Sequence, residues 1–211
     1  MIKVILVLGE FVVLCGMLLN STLIRNAFTW ERYMALMEQL VADKQTTGEQ
    51  TEEHIHFTEL NIHRLKRVYK TLKFDSEVAN ALAETPRQLW VVISEAWCGD
   101  ASQLLPVMAR MADLSATIEL RIVLRDENPE LMDQFLTNGG KAIPKLICMN
   151  PDTFEVMWNW GPRPLPAVEL AKSIKSQGGT KEEIGLAMQE WYNKDKGQTT
   201  IQELLGYLTK P

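Results

Sequence analysis

The most constraining stretch of this 211-residue chain is Leu89-Trp90-Val91-Val92-Ile93, an unbroken apolar run rich in β-branched side chains. A strand with one face in water alternates apolar and polar residues, so a continuous run of this kind reads as a strand covered on both faces. It belongs in the interior of a sheet with helices on either side. The residues after it supply those layers. A helix is predicted from about Gly99, turning Leu104, Leu105, Met108 and Met111 inward, followed by a strand over Ile118 to Leu124 and a short helix over Pro129 to Leu136. Asn138-Gly139-Gly140 reads as a turn, and Lys145 to Met149 and Phe154 to Trp160 as two strands joined through Asn150-Pro151-Asp152. Strand, helix, strand, helix and hairpin make an α/β plan with a central mixed sheet.

Helices are expected on both sides of this unit. Thr29 is placed to cap one in which Tyr33, Leu36, Met37, Leu40 and Val41 share a face, ending before Asp43. After a polar loop over Lys44 to Glu53, Ile62, Leu65, Tyr69 and Leu72 mark a second, and Asp75 with Ser76 opens a third that Thr85-Pro86 stops. Beyond the hairpin, Ala167 to Ser176 reads as helical. Two more helices are expected to open on Thr180 with Glu183 and on Thr200 with Glu203, the spacing of a capping box. The expected organisation is an apolar segment over residues 1–22, a helical extension over 23–85, the α/β core over 86–176 and C-terminal helices over 177–211.

At 46% hydrophobic and 23% charged, the chain can bury a real core. Its net charge of −5, with Lys and Arg scattered among acids, offers no basic stripe, so nucleic acid is not an expected partner. Cys15, Cys98 and Cys148 have no paired spacing that would make a disulfide framework or a zinc site, which suits a reducing compartment and a cytoplasmic location. The alternative location rests on residues 4–19, an apolar run interrupted by Glu10 and lacking a small-residue cleavage site. It is shorter than the ~20 residues of a comfortable span. A central carboxylate adds about 2.5–3.5 kcal/mol to insertion. An anchor, an export signal, or a run preceding a true start at Met17 are the readings it leaves open. His54, His56 and His63 read as surface residues on a polar helix, and neither a metal nor a cofactor is expected. Asp126, Glu127 and Asn128 are expected to cap the helix after them.

The residues with the clearest chemistry are Trp97-Cys98-Gly99-Asp100, between the buried strand and a helix that contains Pro106. A cysteine there meets the unpaired N–H groups of the helix start, which favour thiolate. The alternative, a buried structural cysteine, fits a strand-end position beside Gly and Asp less well. Asp100 opposes the helix by placing negative charge near the thiol.

The segment Trp97-Cys98-Gly99-Asp100-Ala101 resembles the thioredoxin active-site signature Trp-Cys-Gly-Pro-Cys, Pro106 has that family's spacing, and Ile143-Pro144 resembles its cis-proline step. The chain is similar to a bacterial branch of thioredoxin-like proteins with a helical N-terminal extension. The likeness rests on Glu95-Ala-Trp-Cys-Gly-Asp100, Leu124-Arg-Asp-Glu-Asn128, Asn138-Gly-Gly140 and Trp160-Gly-Pro-Arg-Pro164. It implies a thioredoxin-like fold with helical N- and C-terminal extensions and thiol-disulfide oxidoreductase chemistry at Cys98. The departures matter equally: Ala101 stands at the resolving-cysteine position, Val92 where the family places a buried carboxylate, and Asp100 in place of a proline. Cys148, inside an apolar strand, is expected to face the core rather than Cys98.

The expected site is therefore Cys98 as the reacting group, with Trp97, Gly99, Asp100, Ile143, Pro144, Trp160 and Arg163 binding the substrate. A cis bond at Pro144 would bring the Ile143 backbone beside Cys98 for strand-like hydrogen bonds to an extended peptide, the alternative being a proline that simply opens a strand. Arg163 could hold a carboxylate or steady a thiolate, or sit solvated in its loop. Trp97 and Trp160 read as an apolar rim or as core packing. The function expected is monothiol exchange with protein or low-molecular-weight thiols. The alternative is a redox-silent peptide-binding module, and peroxidase chemistry ranks last because only Arg163 is available to support it.

Overall fold

Every residue of the strand Gln88–Ser94 is buried, and the fold is arranged around it. The computed structural model describes residues 21–208. The chain opens with α1 (Ser21–Asn26), α2 (Trp30–Ala42), α3 (Glu52–Thr71) and α4 (Ser76–Glu84), and then enters β1 (Gln88–Ser94). There follow α5 (Gly99–Leu114), β2 (Ile118–Leu124), α6 (Pro129–Met132), β3 (Lys145–Met149) and β4 (Val156–Trp160). Helices α7 (Leu165–Ser176), α8 (Lys181–Asp195) and α9 (Gln198–Leu208) complete the described chain. The apolar run Val4 to Leu19 lies outside the described residues. Among those described, no helix is long and apolar enough to cross a membrane.

The sheet order is β2-β1-β3-β4, with β1 parallel to β2 and antiparallel to β3, and β3 antiparallel to β4. This is the thioredoxin-like α/β arrangement, a mixed sheet with flanking helices and further helices at the C-terminus. Successive β1 residues face opposite sides. Trp90 and Val92 join the larger core with Met37, Leu65, Leu105, Met108 and Leu204, whereas Leu89, Val91 and Ile93 join a smaller one with Ile24, Met132, Phe135 and Ile147. Cys98 belongs to the smaller core and Cys148 to the larger, on opposite sides of the sheet.

Most helix starts follow their caps. Thr29 Oγ1 accepts from the Arg32 N–H, Asp75 from the Val78 N–H, and Thr180 with Glu183 forms a reciprocal capping box. The expected box at Thr200 is not formed. Helix α9 starts at Gln198, Asp195 at the end of α8 accepts from the Thr199 N–H at 3.1 Å, and Thr200 is fully buried within the first turn. Asp195 thus does the capping, and Glu203 is released to bond elsewhere. Asn128 also differs from expectation: its amide reaches back to the Leu124 carbonyl at 2.7 Å and caps nothing. Helix α6 ends at Met132 rather than Leu136: the Gln134 and Phe135 N–H groups bond only three residues back, to Leu131 and Met132, and the chain goes on to a bridge between Thr137 and Gly140, with Asn138 left-handed at φ 52°. Strand β4 starts after Phe154, whose φ of 59° is incompatible with a strand.

The loop after β1 is held from behind by α3 and the segment before it. Asn61, fully buried, donates its amide to the Ala96 carbonyl at 2.9 Å, and Thr47 Oγ1 accepts from the Ala96 N–H at 2.9 Å. Both polar groups of Ala96 are thereby satisfied where no water reaches. The change Asn61→Ala strands a buried carbonyl and is expected to cost about 1–3 kcal/mol. Urea unfolding, with the midpoint lowered and the slope unchanged, is the measurement.

Candidate active site

Cys98 is the N-cap of α5, with extended backbone at φ −72° and ψ 113°, and its own N–H is spent on the Glu95 carbonyl at 3.1 Å. Its sulfur accepts from the Ala101 N–H at 3.4 Å and donates to the Ile143 carbonyl at 3.4 Å. The Ile143–Pro144 peptide bond is cis, and the loop carrying it lies directly against the thiol. Ala101, buried at 2% exposure, fills the position one turn along the helix.

From the sequence, the strand-end position beside Gly99 and Asp100 reads as ill-suited to burial, with the helix start favouring thiolate and Asp100 opposing it. Cys98 is only 7% exposed, and its pKa is pushed up to about 12 by burial first and by the Asp100 charge second. The Ala101 and Asp100 N–H groups and the Arg163 guanidinium pull the other way without prevailing. Desolvation outweighs the helix terminus because a thiolate in the small core exchanges water for apolar neighbours. Cys98 rests as a thiol.

Asp100 is the hub beside it. One carboxylate oxygen takes Arg163 Nε at 2.8 Å and Nη2 at 2.7 Å, and the other takes the Tyr192 hydroxyl at 2.8 Å. Arg163 is therefore neither a solvated loop residue nor an idle carboxylate receptor. Burial pulls its pKa down, yet the bonds and charge of Asp100 overcome this and leave it raised. Burial followed by the Asp100 charge holds Tyr192 well above the ordinary phenol range, so the hydroxyl stays a donor. The Arg163 loop is pressed onto the cis-proline loop at Gly161, whose φ is 112° and where a Cβ would collide with the Pro144 carbonyl oxygen.

The two tryptophans part company. Trp97 stays half-buried at the site, with the His54 ring stacked at 4.5 Å and the Arg125 guanidinium 4.9 Å from its centroid. Trp160 does not form a rim: at 4% exposure it lies in the larger core and donates Nε1 to Glu203 at 2.7 Å. Gly99 is exposed with nothing within 4 Å of a Cβ position, so the surface nearest the thiol is open there. Cys148 is fully buried, gives its thiol hydrogen to Gln88 Oε1 at 3.2 Å, and is held by burial up to about 12.

Val92 is fully buried hydrocarbon, but a buried carboxyl is present three residues before Cys98. Glu95, 1% exposed, accepts from the Asp126 N–H at 2.8 Å, leaves its second oxygen unpartnered, and is raised in pKa by its burial. No cluster of three or more His, Cys, Asp or Glu able to hold a metal occurs among the described residues. The sequence gives no site role to Tyr192, reads Glu203 only as half of a capping box with Thr200, and Glu95 only as part of the family likeness. For the first two no local signal existed, since their partners lie 92 and 43 positions away.

A family match and one solved structure agree with this architecture. The family Thioredoxin_9, described as Thioredoxin, matches residues 48–175. The crystal structure of an HIV epitope-scaffold superposes with a TM-score of 0.53 at 18% identity, covering 81% of this chain and 95% of the scaffold, a likeness of fold. A protein of unknown function from Pseudomonas aeruginosa, PA1234, gives a TM-score of 0.48 at 15% identity over 81% of this chain and 99% of its own. No curated protein matches the chain significantly.

Two outcomes follow from this geometry. In Asp100→Asn the charge that raises the Cys98 pKa is gone and the Arg163 charge is unpaired beside the sulfur, both lowering it, so iodoacetamide should label Cys98 about three- to fourfold faster at pH 8 per unit of pKa lost, the larger thiolate fraction being partly offset by its weaker nucleophilicity. Mass spectrometry of the labelled peptides measures this, with Cys148 unchanged as the internal reference. Gly161→Ala, which brings a Cβ onto the Pro144 carbonyl at a left-handed φ, is expected to lower stability by about 1–3 kcal/mol in thermal or urea unfolding.

Proposed function

We propose that this chain, which belongs to the thioredoxin family Thioredoxin_9, uses Cys98 for monothiol thiol-disulfide exchange with a protein or low-molecular-weight disulfide. The observation that carries the reading is the seat of the sulfur: at the N-cap of α5, against the cis-proline loop, with Ala101 in the position from which a second thiol would act. In the exchange, Cys98 loses its proton, its sulfur attacks one sulfur of the incoming disulfide, and the departing thiolate takes up the proton. The product is a mixed disulfide on Cys98. Without a neighbouring thiol, a second external thiol must attack that bond, regenerating Cys98 and leaving with the substrate as a new disulfide. The open side at Gly99 gives the approach. Once the thiol hydrogen has left, the Ile143 carbonyl is free to accept from an extended substrate backbone, with Trp97 and Pro144 beside it. Asp100 and Arg163 form the charged border of this surface.

A pKa of about 12 favours a second reading, a peptide-binding module whose cysteine is silent. One experiment separates the two. Under glutathione disulfide, intact-mass analysis is expected to give one glutathionyl adduct on the wild-type protein, removed by reduced glutathione and missing in Cys98→Ser. In Ala101→Cys the adduct should not persist, because the restored thiol expels it and forms an internal disulfide. Absence of the wild-type adduct, with partner peptides still held by Cys98→Ser, would establish the binding module instead.

A further inference from the structure

A cavity of about 600 Å³ has Tyr192 in its wall and is bounded by α3, α5 and the turn from α8 into α9. Its floor is apolar, with Leu72 and Leu104 buried and Val68 half-buried. Its rim is cationic. Arg67, Lys73, Lys194 and Lys196 line it against a single acid, Asp195, which is occupied by Thr199. Four of the chain's 22 basic residues thus share one opening with one of its 27 acids, in a protein of net charge −5. Lys73, Lys194 and Lys196 are exposed and have no ion-pair partner among the described residues, although Lys66 and Lys141 elsewhere do find acids. The contrast with another cavity, of about 660 Å³ at the α4–α9 contact, is direct: its charged lining residues are Glu77 and Glu84.

The walls are fixed by the fold. Lys196 and Gly197 take left-handed φ values of 54° and 81°, and a Cβ at Gly197 would meet Leu72 and Val107 at 2.9 Å, so the turn is seated tightly against α3 and α5. Arg67 Nη1 bridges across to Asn193 Oδ1 at 3.1 Å. A volume of this size suits a ligand of moderate mass. Unpaired like charges over an apolar floor repel one another until an anion neutralises them, and that cost is recovered when an anion binds.

We propose that this cavity is a binding site for a small amphipathic anion, its apolar body on Val68, Leu72 and Leu104 and its anionic group among Lys73, Lys194 and Lys196. Tyr192 forms part of the wall and donates to Asp100, so the site stands one side chain away from the surroundings of Cys98. The inference is independent of any redox activity.

The test is fluorescence titration of the full chain with 8-anilinonaphthalene-1-sulfonate, whose two-part apolar body carries one sulfonate. One saturable site is expected, weakened by added salt. Its affinity should fall about tenfold or more in Lys73→Ala/Lys194→Ala/Lys196→Ala, since charge-assisted contacts to three exposed groups are lost. Thr71→Glu, which adds a carboxylate to the exposed rim, should weaken it in the same direction, with circular dichroism showing both variants folded. The uncharged N-phenyl-1-naphthylamine should bind at least tenfold more weakly than the sulfonate. Equal affinity in the lysine variant, equal affinity for the uncharged probe, or unsaturable binding would each overturn the assignment.

Discussion

The architecture depends on β1 being buried on both faces. A strand with no solvent face cannot stand alone, so β2 and β3 must pair with both its edges and helices must cover both its surfaces. Desolvation of this strand and of the side chains packed on it is the dominant stabilising contribution, at roughly 25 cal/mol per Å² of apolar area removed from water. The same constraint delivers Cys98. A central strand of this kind ends where its layers end, and the next residues must turn sharply into the covering helix α5. That turn is where Asn61, Thr47 and Glu95 anchor the backbone and where the sulfur meets the loop before β3.

Two opposing effects fix the character of the thiol. The start of α5 offers N–H groups that favour negative charge, while the smaller core and Asp100 penalise it, and the penalty is larger. Asp100 is also the residue that most restricts Arg163. By accepting from both the guanidinium and Tyr192, it neutralises the Arg163 charge near the sulfur and ties the loop after β4 and helix α8 to the first turn of α5. A site otherwise built from adjacent strand ends is thus sealed by an element from the C-terminal extension.

The fold was legible because its signals are local. The apolar run of β1, the caps at Thr29, Asp75 and Thr180, and the turn residues between the later strands each encode their element within a few positions. The approach of Cys98 to the Ile143-Pro144 loop was implied by the likeness to thioredoxin-like proteins, whose strand order brings those loops to one end of the sheet. What escaped depends on distant partners. Trp160 reads equally as rim or core until Glu203 is seen to accept its N–H, and Thr200 reads as a cap until Asp195 is found already holding Thr199. The burial of Cys98 was misjudged because Gly99 and Asp100 flank it with polarity in sequence, whereas Leu131, Met132, Phe135 and Ile143 build the small core it shares in space.

The bond from Tyr192 to Asp100 spans 92 positions, and it gives the protein a temporal order. Synthesis runs from the N-terminus, so β1 and α5 are made before α8. Until α8 is made, Asp100 lacks the phenol, and the first turn of α5 is not yet fastened to that helix. The surroundings of Cys98 that the finished protein presents are therefore a property of the completed chain alone, and a nascent or prematurely terminated product would carry the same cysteine in a different chemical setting.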